Sequence, residues 1–192
     1  MSQAMQRRRP FRDVLASSGT DELLWRLHLC DPEIQRRICF ELGRRRAAEG
    51  IDTLVGMLGF ATPDRVRAAA VEALGRIGDS RSGARILTLF TEASLPEWLR
   101  DTAAYALGRL RYGPALMALC DALADPNPTV RECAVAALGA LGGWFAFDRV
   151  RCAMQTEQNP RVLDAMKRAT EAWEGGKEGA FVPLTRLLAS AR

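Results

Sequence analysis

RVRAAAVEALGRIGD, at residues 65–79, decides the fold because it recurs along the chain. Close copies are WLRDTAAYALGRLRY at 98–112 and TVRECAVAALGALGG at 129–143, and EIQRRICFELGRRRA at 33–47 is a weaker one. With the aliphatic residue near each start as reference, Ile34, Val66, Leu99, Val130 and Val162 follow one another at intervals of 32, 33, 31 and 32 residues. A fixed period of that length marks an array of small supersecondary units. Inside the unit, Val66, Ala70, Leu74 and Ile77 are matched by Leu99, Ala103, Leu107 and Leu110, and again by Val130, Ala134, Leu138 and Leu141. Residues three and four apart share one side of a helix, so each copy predicts an amphipathic first helix.

Outward from that stripe, Asp31-Pro32, Thr62-Pro63, Asn127-Pro128 and Asn159-Pro160 place a capping oxygen before a proline, and Ser94 lies just ahead of Pro96. Each pair predicts a helix start. Gly43, Gly75, Gly108 and Gly139 fall nine residues after the reference position, where close helix approach and a coming turn favour a residue without a side chain. A second helix reads from Ile51-Leu54-Leu58, Ala84-Leu87-Phe90, Leu116-Leu119-Leu123, Phe147-Val150-Met154 and Phe181-Leu184-Leu188. Such a hairpin buries both faces only by stacking on its neighbours.

The expected architecture is therefore all-α: a right-handed solenoid of about five hairpins forming one domain over 11–192, with units near 31–61, 62–93, 94–124, 125–157 and 158–192. Residues 11–30 predict a shortened leading hairpin whose second helix is capped by Thr20 or Asp21, and residues 1–10 predict disorder. In the last unit Glu171 replaces the glycine, Lys167 and Thr170 stand where apolar residues belong, and residues 173–179 delay the second helix. That unit reads as a degenerate cap.

Composition narrows the function. Of 192 residues 48% are hydrophobic, and the net charge of +4, from 27 basic and 23 acidic residues, is too small to call for nucleic acid. Cys30, Cys39, Cys120, Cys133 and Cys152 show no C-x-x-C spacing and read as small core residues of a cytoplasmic protein. His28, the sole histidine, reads as a partly buried structural residue, so no metal or cofactor site is expected. Arg7-Arg8-Arg9 is followed by Arg12 and Asp13 instead of an apolar segment, which argues against export. The longest uncharged stretch, 133–147, is too short and too glycine-rich to span a membrane. No G-x-S-x-G elbow or strand-borne phosphate loop is present in the sequence.

Val66-Arg67, Ala70 and Ala73-Leu74-Gly75-Arg76-Ile77-Gly78-Asp79, repeated as Val130-Arg131, Ala134 and Ala137-Leu138-Gly139, resemble HEAT-like repeats of the phycobilin-lyase type over about 31–157. The resemblance implies an α-solenoid and says little of function. Phycobilin lyases would add a bilin, a heterodimeric partner and a chromophore-bearing antenna protein. The HEAT-repeat deoxyhypusine hydroxylases hold a di-iron centre with His-Glu pairs, whereas Leu29 follows the only histidine here. In HEAT-like alkylpurine DNA glycosylases aromatic residues stand near an acid, a grouping that Trp98, Arg100 and Asp101 imitate.

Charges separate along the repeat. Asp31, Glu33, Asp64, Glu97, Asp101 and Asp125 cluster at first-helix starts, whereas Arg44, Arg45, Arg46, Arg76, Arg81, Arg109 and Arg111 cluster at the hairpin turns. Helix dipoles favour that arrangement by about 0.3–1 kcal/mol per residue. The triplet Arg44-Arg45-Arg46 exceeds the pattern and replaces an apolar residue at 45, which points to docking of an acidic protein or a phosphate-bearing partner. Arg67, Arg100 and Arg131 recur one residue after the reference and are expected to bridge units through carboxylates or carbonyls. Trp98 and Trp144 join Arg44, Arg45, Arg46, Arg76, Arg109 and Arg111 as candidate partner-binding residues, although Trp98, Trp144 and Trp173 all read equally as hairpin packing or as interface anchors. The expected function is a non-catalytic scaffold or adaptor for a protein partner.

Overall fold

The computed structural model describes residues 15–175. After one helical turn at 15–17, the first helices are α2 (Pro32–Arg45), α4 (Asp64–Ile77), α6 (Glu97–Arg109), α8 (Pro128–Leu141) and α10 (Pro160–Glu174). Between them run α1 (Thr20–Leu27) and the shorter second helices α3 (Ile51–Gly56), α5 (Gly83–Thr91), α7 (Leu116–Asp121) and α9 (Trp144–Ala153). Among the described residues there is no strand. The chain is an α-solenoid of stacked hairpins, as the period predicts. Residues 1–10, residues 11–14 of the leading hairpin and the Phe181-Leu184-Leu188 helix lie outside the described residues.

The first helices pack directly on one another along the whole row, while α3, α5 and α7 pack mainly on the first helix of the following unit and α9 packs equally on α8 and α10. The row of first helices is thus the more closely spaced layer, which makes it the inner one. Its stripe is buried as predicted: Val66, Ala70, Leu74, Leu99, Ala103, Leu107, Val130, Ala134 and Leu138 are all 1% exposed or less. The repeated glycines explain the close spacing. A Cβ on Gly43 would lie 2.8 Å from the Ala73 Cα, and one on Gly108 would lie 2.6 Å from the Ala137 Cα. At Gly75 the nearest atom is the Ala106 Cβ at 3.1 Å, but at Gly139 it is the Ala169 Cβ at 4.0 Å, so the last seam is wider.

The helix starts follow the proline register. Proline two residues before the reference is the first helical residue, and the side chain preceding it caps: Asp31 accepts from Glu33 and Ile34 N–H, Asn127 from Thr129 N–H, and Asn159 from Arg161 and Val162 N–H. In the units of α4 and α6 proline falls three residues before the reference and becomes the cap residue itself, so Thr62 and Ser94 do not cap as expected. At α1 the cap residue is Gly19, in place of Thr20 or Asp21.

Other expectations shift with packing. In α5 the buried face is Gly83, Ile86, Leu89 and Phe90, leaving Ala84 exposed. Helix α10 continues through Trp173, which is 2% exposed and meets the Phe147 ring edge-on at 5.8 Å. Thr170 is also buried there, its hydroxyl donating to the Met166 and Lys167 carbonyls, which makes a polar residue tolerable at an apolar position. Cys39 and Cys120 are core residues, and burial pushes the Cys39 thiol up to about 12; Cys152, however, is exposed on α9, and His28 is exposed in the turn that ends α1.

Candidate functional site

The inner face is made by residues that the apolar stripe leaves on the opposite side of each first helix. Around α2 these are Arg36, Arg37, Phe40 and Arg44, and around α6 they are Trp98, Asp101, Thr102, Tyr105 and Arg109. Between them α4 presents Arg65, Ala68, Ala69, Glu72 and Arg76. Ala68 and Ala69 of α4 stand level with Arg36 and Arg37 of α2 and with Asp101 and Thr102 of α6, so the face dips over those two alanines, while Glu72 holds the position of Phe40 and Tyr105. A depression of about 510 Å³ is lined by Arg36, Arg65, Ala68, Ala69, Glu72, Trp98 and Thr102. A second, of about 520 Å³, lies on the α2 side and shares Arg36, Ala69 and Glu72 with the first.

Three of the largest exposed apolar side chains stand on this face: Phe40 at 49%, Trp98 at 44% and Tyr105 at 49% exposure. Arginine accompanies each. The Arg76 guanidinium lies over the Phe40 ring at 4.7 Å to its centroid, and Arg76 also donates to Glu72. Tyr105 shares a small pocket with Arg76 and Arg109. Asp101 is half-buried beside Trp98; burial raises its carboxyl above its ordinary value, opposed by hydrogen bonds donated by Thr102. Arg100, the third member of the glycosylase-like grouping, turns away to bind Asp125 and the Phe90 carbonyl, so the three do not converge.

The candidate residues therefore separate. Arg44, Arg76 and Arg109 occupy the same position in three successive units and form one row near the turn end of the inner face. Arg44 is the exposed partner of Glu41, bonded bidentately at 2.8 and 2.7 Å. Arg109 donates through Nε to the Gly75 carbonyl of the preceding unit at 3.1 Å. Arg45 is drawn inward: its guanidinium donates to the Ser18, Leu15 and Ala16 carbonyls at 2.7, 2.8 and 3.0 Å and to Glu41 at 2.6 Å. Hydrogen bonding from Arg44, opposed by burial and aided by Arg45, holds the Glu41 carboxyl well below its ordinary 4.5, at about 2. Arg46 is exposed in the left-handed region at φ 52°, and Arg111 takes the equivalent conformation at φ 48° while donating to the Ala140 carbonyl at 3.0 Å. Trp144 stands half-exposed at the hairpin turn of α8 and α9, against Phe145, and is not brought near Trp98.

Of the second arginine series Arg100 alone reaches neighbouring units, while Arg131 finds its partners within 125–157. Arg131 binds Glu157 bidentately at 2.7 and 2.9 Å and also the Asp125 and Pro126 carbonyls at 2.8 and 3.1 Å. Arg100 pairs likewise with Asp125. Arg67 instead binds Asp64 of its own helix, with the Phe60 ring 6.0 Å from its guanidinium carbon, and Glu92 accepts from Ser94. Sequence reasoning missed Phe40 and Tyr105; their shared position, six residues after the reference, was the available signal.

This geometry has known counterparts. The HEAT-repeat profile matches residues 20–97 and again 86–171. The chain belongs to the HEAT-repeat family. Its fold is similar to the crystal structure of an engineered protein from a structural genomics consortium, 20% identical over 86% of this chain and 83% of that one, with a TM-score of 0.62. A second engineered protein from the same source is 19% identical over 84% of this HEAT-repeat chain and 51% of its own, with a TM-score of 0.59. Human deoxyhypusine hydroxylase in complex with glycerol is 18% identical over 88% and 92%, with a TM-score of 0.39. No curated protein matches the chain. The phycobilin-lyase type is not distinguished within the HEAT-repeat match. No described helix is long and apolar enough to cross a membrane.

Proposed function

We propose that this HEAT-repeat chain is a scaffold or adaptor module whose inner face, across α2, α4 and α6, receives a segment of a protein partner. One observation carries the reading: Phe40, Trp98 and Tyr105 are each about half exposed on a single row of helices, around a dip floored by alanine. Rigid aromatic side chains beside pockets are typical interface anchors, and truncating one at the centre of an interface costs about 2 kcal/mol or more of binding. The first helices are held to one another by close backbone approach, so the face is preorganised and little ordering opposes binding. Docking shifts from the hairpin-turn edge to the inner face, since Arg45 is used internally.

The test is affinity purification of the tagged protein from its native extract in parallel with a Trp98→Ala/Tyr105→Ala variant, compared by quantitative mass spectrometry and an absorbance spectrum. The reading requires proteins retained by the parent and lost by the variant. Retention of the same proteins by both would sink it, and a bilin chromophore copurifying with antenna subunits would replace it with the lyase-type reading that the repeat resemblance implies.

A further inference from the structure

Resting on the inner-face reading, we infer that the trough over α4 takes an acidic peptide segment, anchored by one apolar side chain placed on the Ala68–Ala69 floor between Phe40 and Trp98. The floor and walls set the anchor. Ala68 and Ala69 give the recess an apolar floor and Trp98 one apolar wall, with Arg36, Arg65, Glu72 and Thr102 around the rest, so one aliphatic or aromatic side chain can lie on the floor against Trp98 while polar groups meet the rim. The rim sets the charge. Arg36, Arg65, Arg76 and Arg109 surround Glu72, and Glu72 is already bonded to Arg76. Neither Arg65 nor Arg109 has a carboxylate partner among the described residues, and Arg65 is exposed at the rim. Guanidinium groups in that state pair with carboxylates through two parallel hydrogen bonds.

The occupant must come from another chain of opposite charge. Residues 1–14 carry Arg7, Arg8, Arg9 and Arg12 against Asp13, and residues 176–192 carry Lys177, Arg186 and Arg192 against Glu178, so both ends of the sequence share the sign of the rim. A second copy, with net charge +4, brings the same repulsion. Nucleic acid, whose phosphates repeat along the whole strand, is disfavoured because Glu72 and Asp101 interrupt the arginines of the face, whereas a peptide can place its carboxylates opposite Arg65 and Arg109 alone.

The experiment selects short random peptides displayed on phage against the full chain, then measures the enriched peptides, their lysine-for-glutamate counterparts and a single-stranded oligothymidylate by fluorescence anisotropy. Enriched peptides are expected to be net negative with at least one large apolar residue, and raising salt from about 0.05 M to about 0.5 M is expected to weaken them several-fold. Arg65→Glu and Trp98→Ala are each expected to weaken binding about tenfold with an unchanged far-ultraviolet spectrum, while Trp144→Ala has no effect. Enriched peptides of any charge that ignore Trp98→Ala would contradict the inner-face reading itself. Peptides that need Trp98 but are neutral or basic, or that ignore Arg65→Glu, would overturn this inference alone. No enrichment, preference for the oligothymidylate, or self-association abolished by Trp98→Ala would also overturn it.

Discussion

The seams between successive first helices from α2 to α8 differ from the last seam, between α8 and α10, although the same residue pair faces across each. Glycine stands opposite alanine four times: Gly43 with Ala73, Gly75 with Ala106, Gly108 with Ala137, and Gly139 with Ala169. A side chain on the glycine would come within 2.6–3.1 Å of the nearest alanine atom at the first three pairs and only within 4.0 Å at the fourth. The closed seams are also stitched by arginine: Arg76 over Phe40, Arg109 to the Gly75 carbonyl, and Arg111 to the Ala140 carbonyl. Across the last seam Arg161 and Glu132 make an ion pair at 3.1 Å, exposed at 78% and 30%. Such a pair contributes little, about 0–1 kcal/mol. The inner face divides in the same place. Arginine and aromatic residues cover α2 to α6, whereas α8 and α10 line their shared groove largely with alanine. A repeat motif therefore sets which residues face each other, while the residues around it set how closely.

The sharpest way to break this comparison is one substitution made twice. Gly108→Ala forces a Cβ into the Ala137 backbone and is expected to destabilise by about 2–3 kcal/mol in urea unfolding. Gly139→Ala has open space and is expected to stabilise by about 0.5–1 kcal/mol through helix propensity. Equal signs would dismiss the difference between the seams.

At the leading end, Arg45→Met leaves three carbonyls without their shared donor and is expected to cost about 2 kcal/mol. Hydrogen exchange should show the loss concentrated at α1 and the turn before it. A variant that exchanges like the parent would return Arg45 to the surface set.

The Glu41 cluster adds a pH dependence. Because its folded value of about 2 lies below its ordinary 4.5, its stabilisation is complete above about pH 4.5 and is lost as pH falls toward about 2. Unfolding of the parent should lose about 2 kcal/mol across that window that Glu41→Gln does not lose. Glu157, also held low by Arg131, continues to titrate in the variant. The smallest effects come from single arginines. Arg46→Gly relieves a left-handed φ and should stabilise by about 1 kcal/mol, and Arg161→Ala should change stability by less than about 0.5 kcal/mol.

The sequence made the first helices legible because their stripe repeats with one period, and the glycine position was legible for the same reason. Other features depended on register or on neighbours. The failed caps at Thr62 and Ser94 follow from a proline one residue further from the reference. Arg45 occupies the position where Ile77, Leu110 and Leu141 are apolar, and only the structure reveals that the chain at 15–18 supplies carbonyls to meet it. The binding face was harder to read, since its residues lie on the side of each helix that carries no hydrophobic period. Trp98 was singled out by type, but its assembly with Phe40 and Tyr105 required the inner layer to be known.

Hydrogen exchange of the full chain with and without an enriched acidic peptide tests the central claim most directly, because it reports which helices the occupant protects. The account requires added protection on α2, α4 and α6, centred on the stretch from Arg65 to Glu72, with α3, α5 and α7 unchanged. Protection confined to the second helices, or to the alanine-lined groove between α8 and α10, would contradict it.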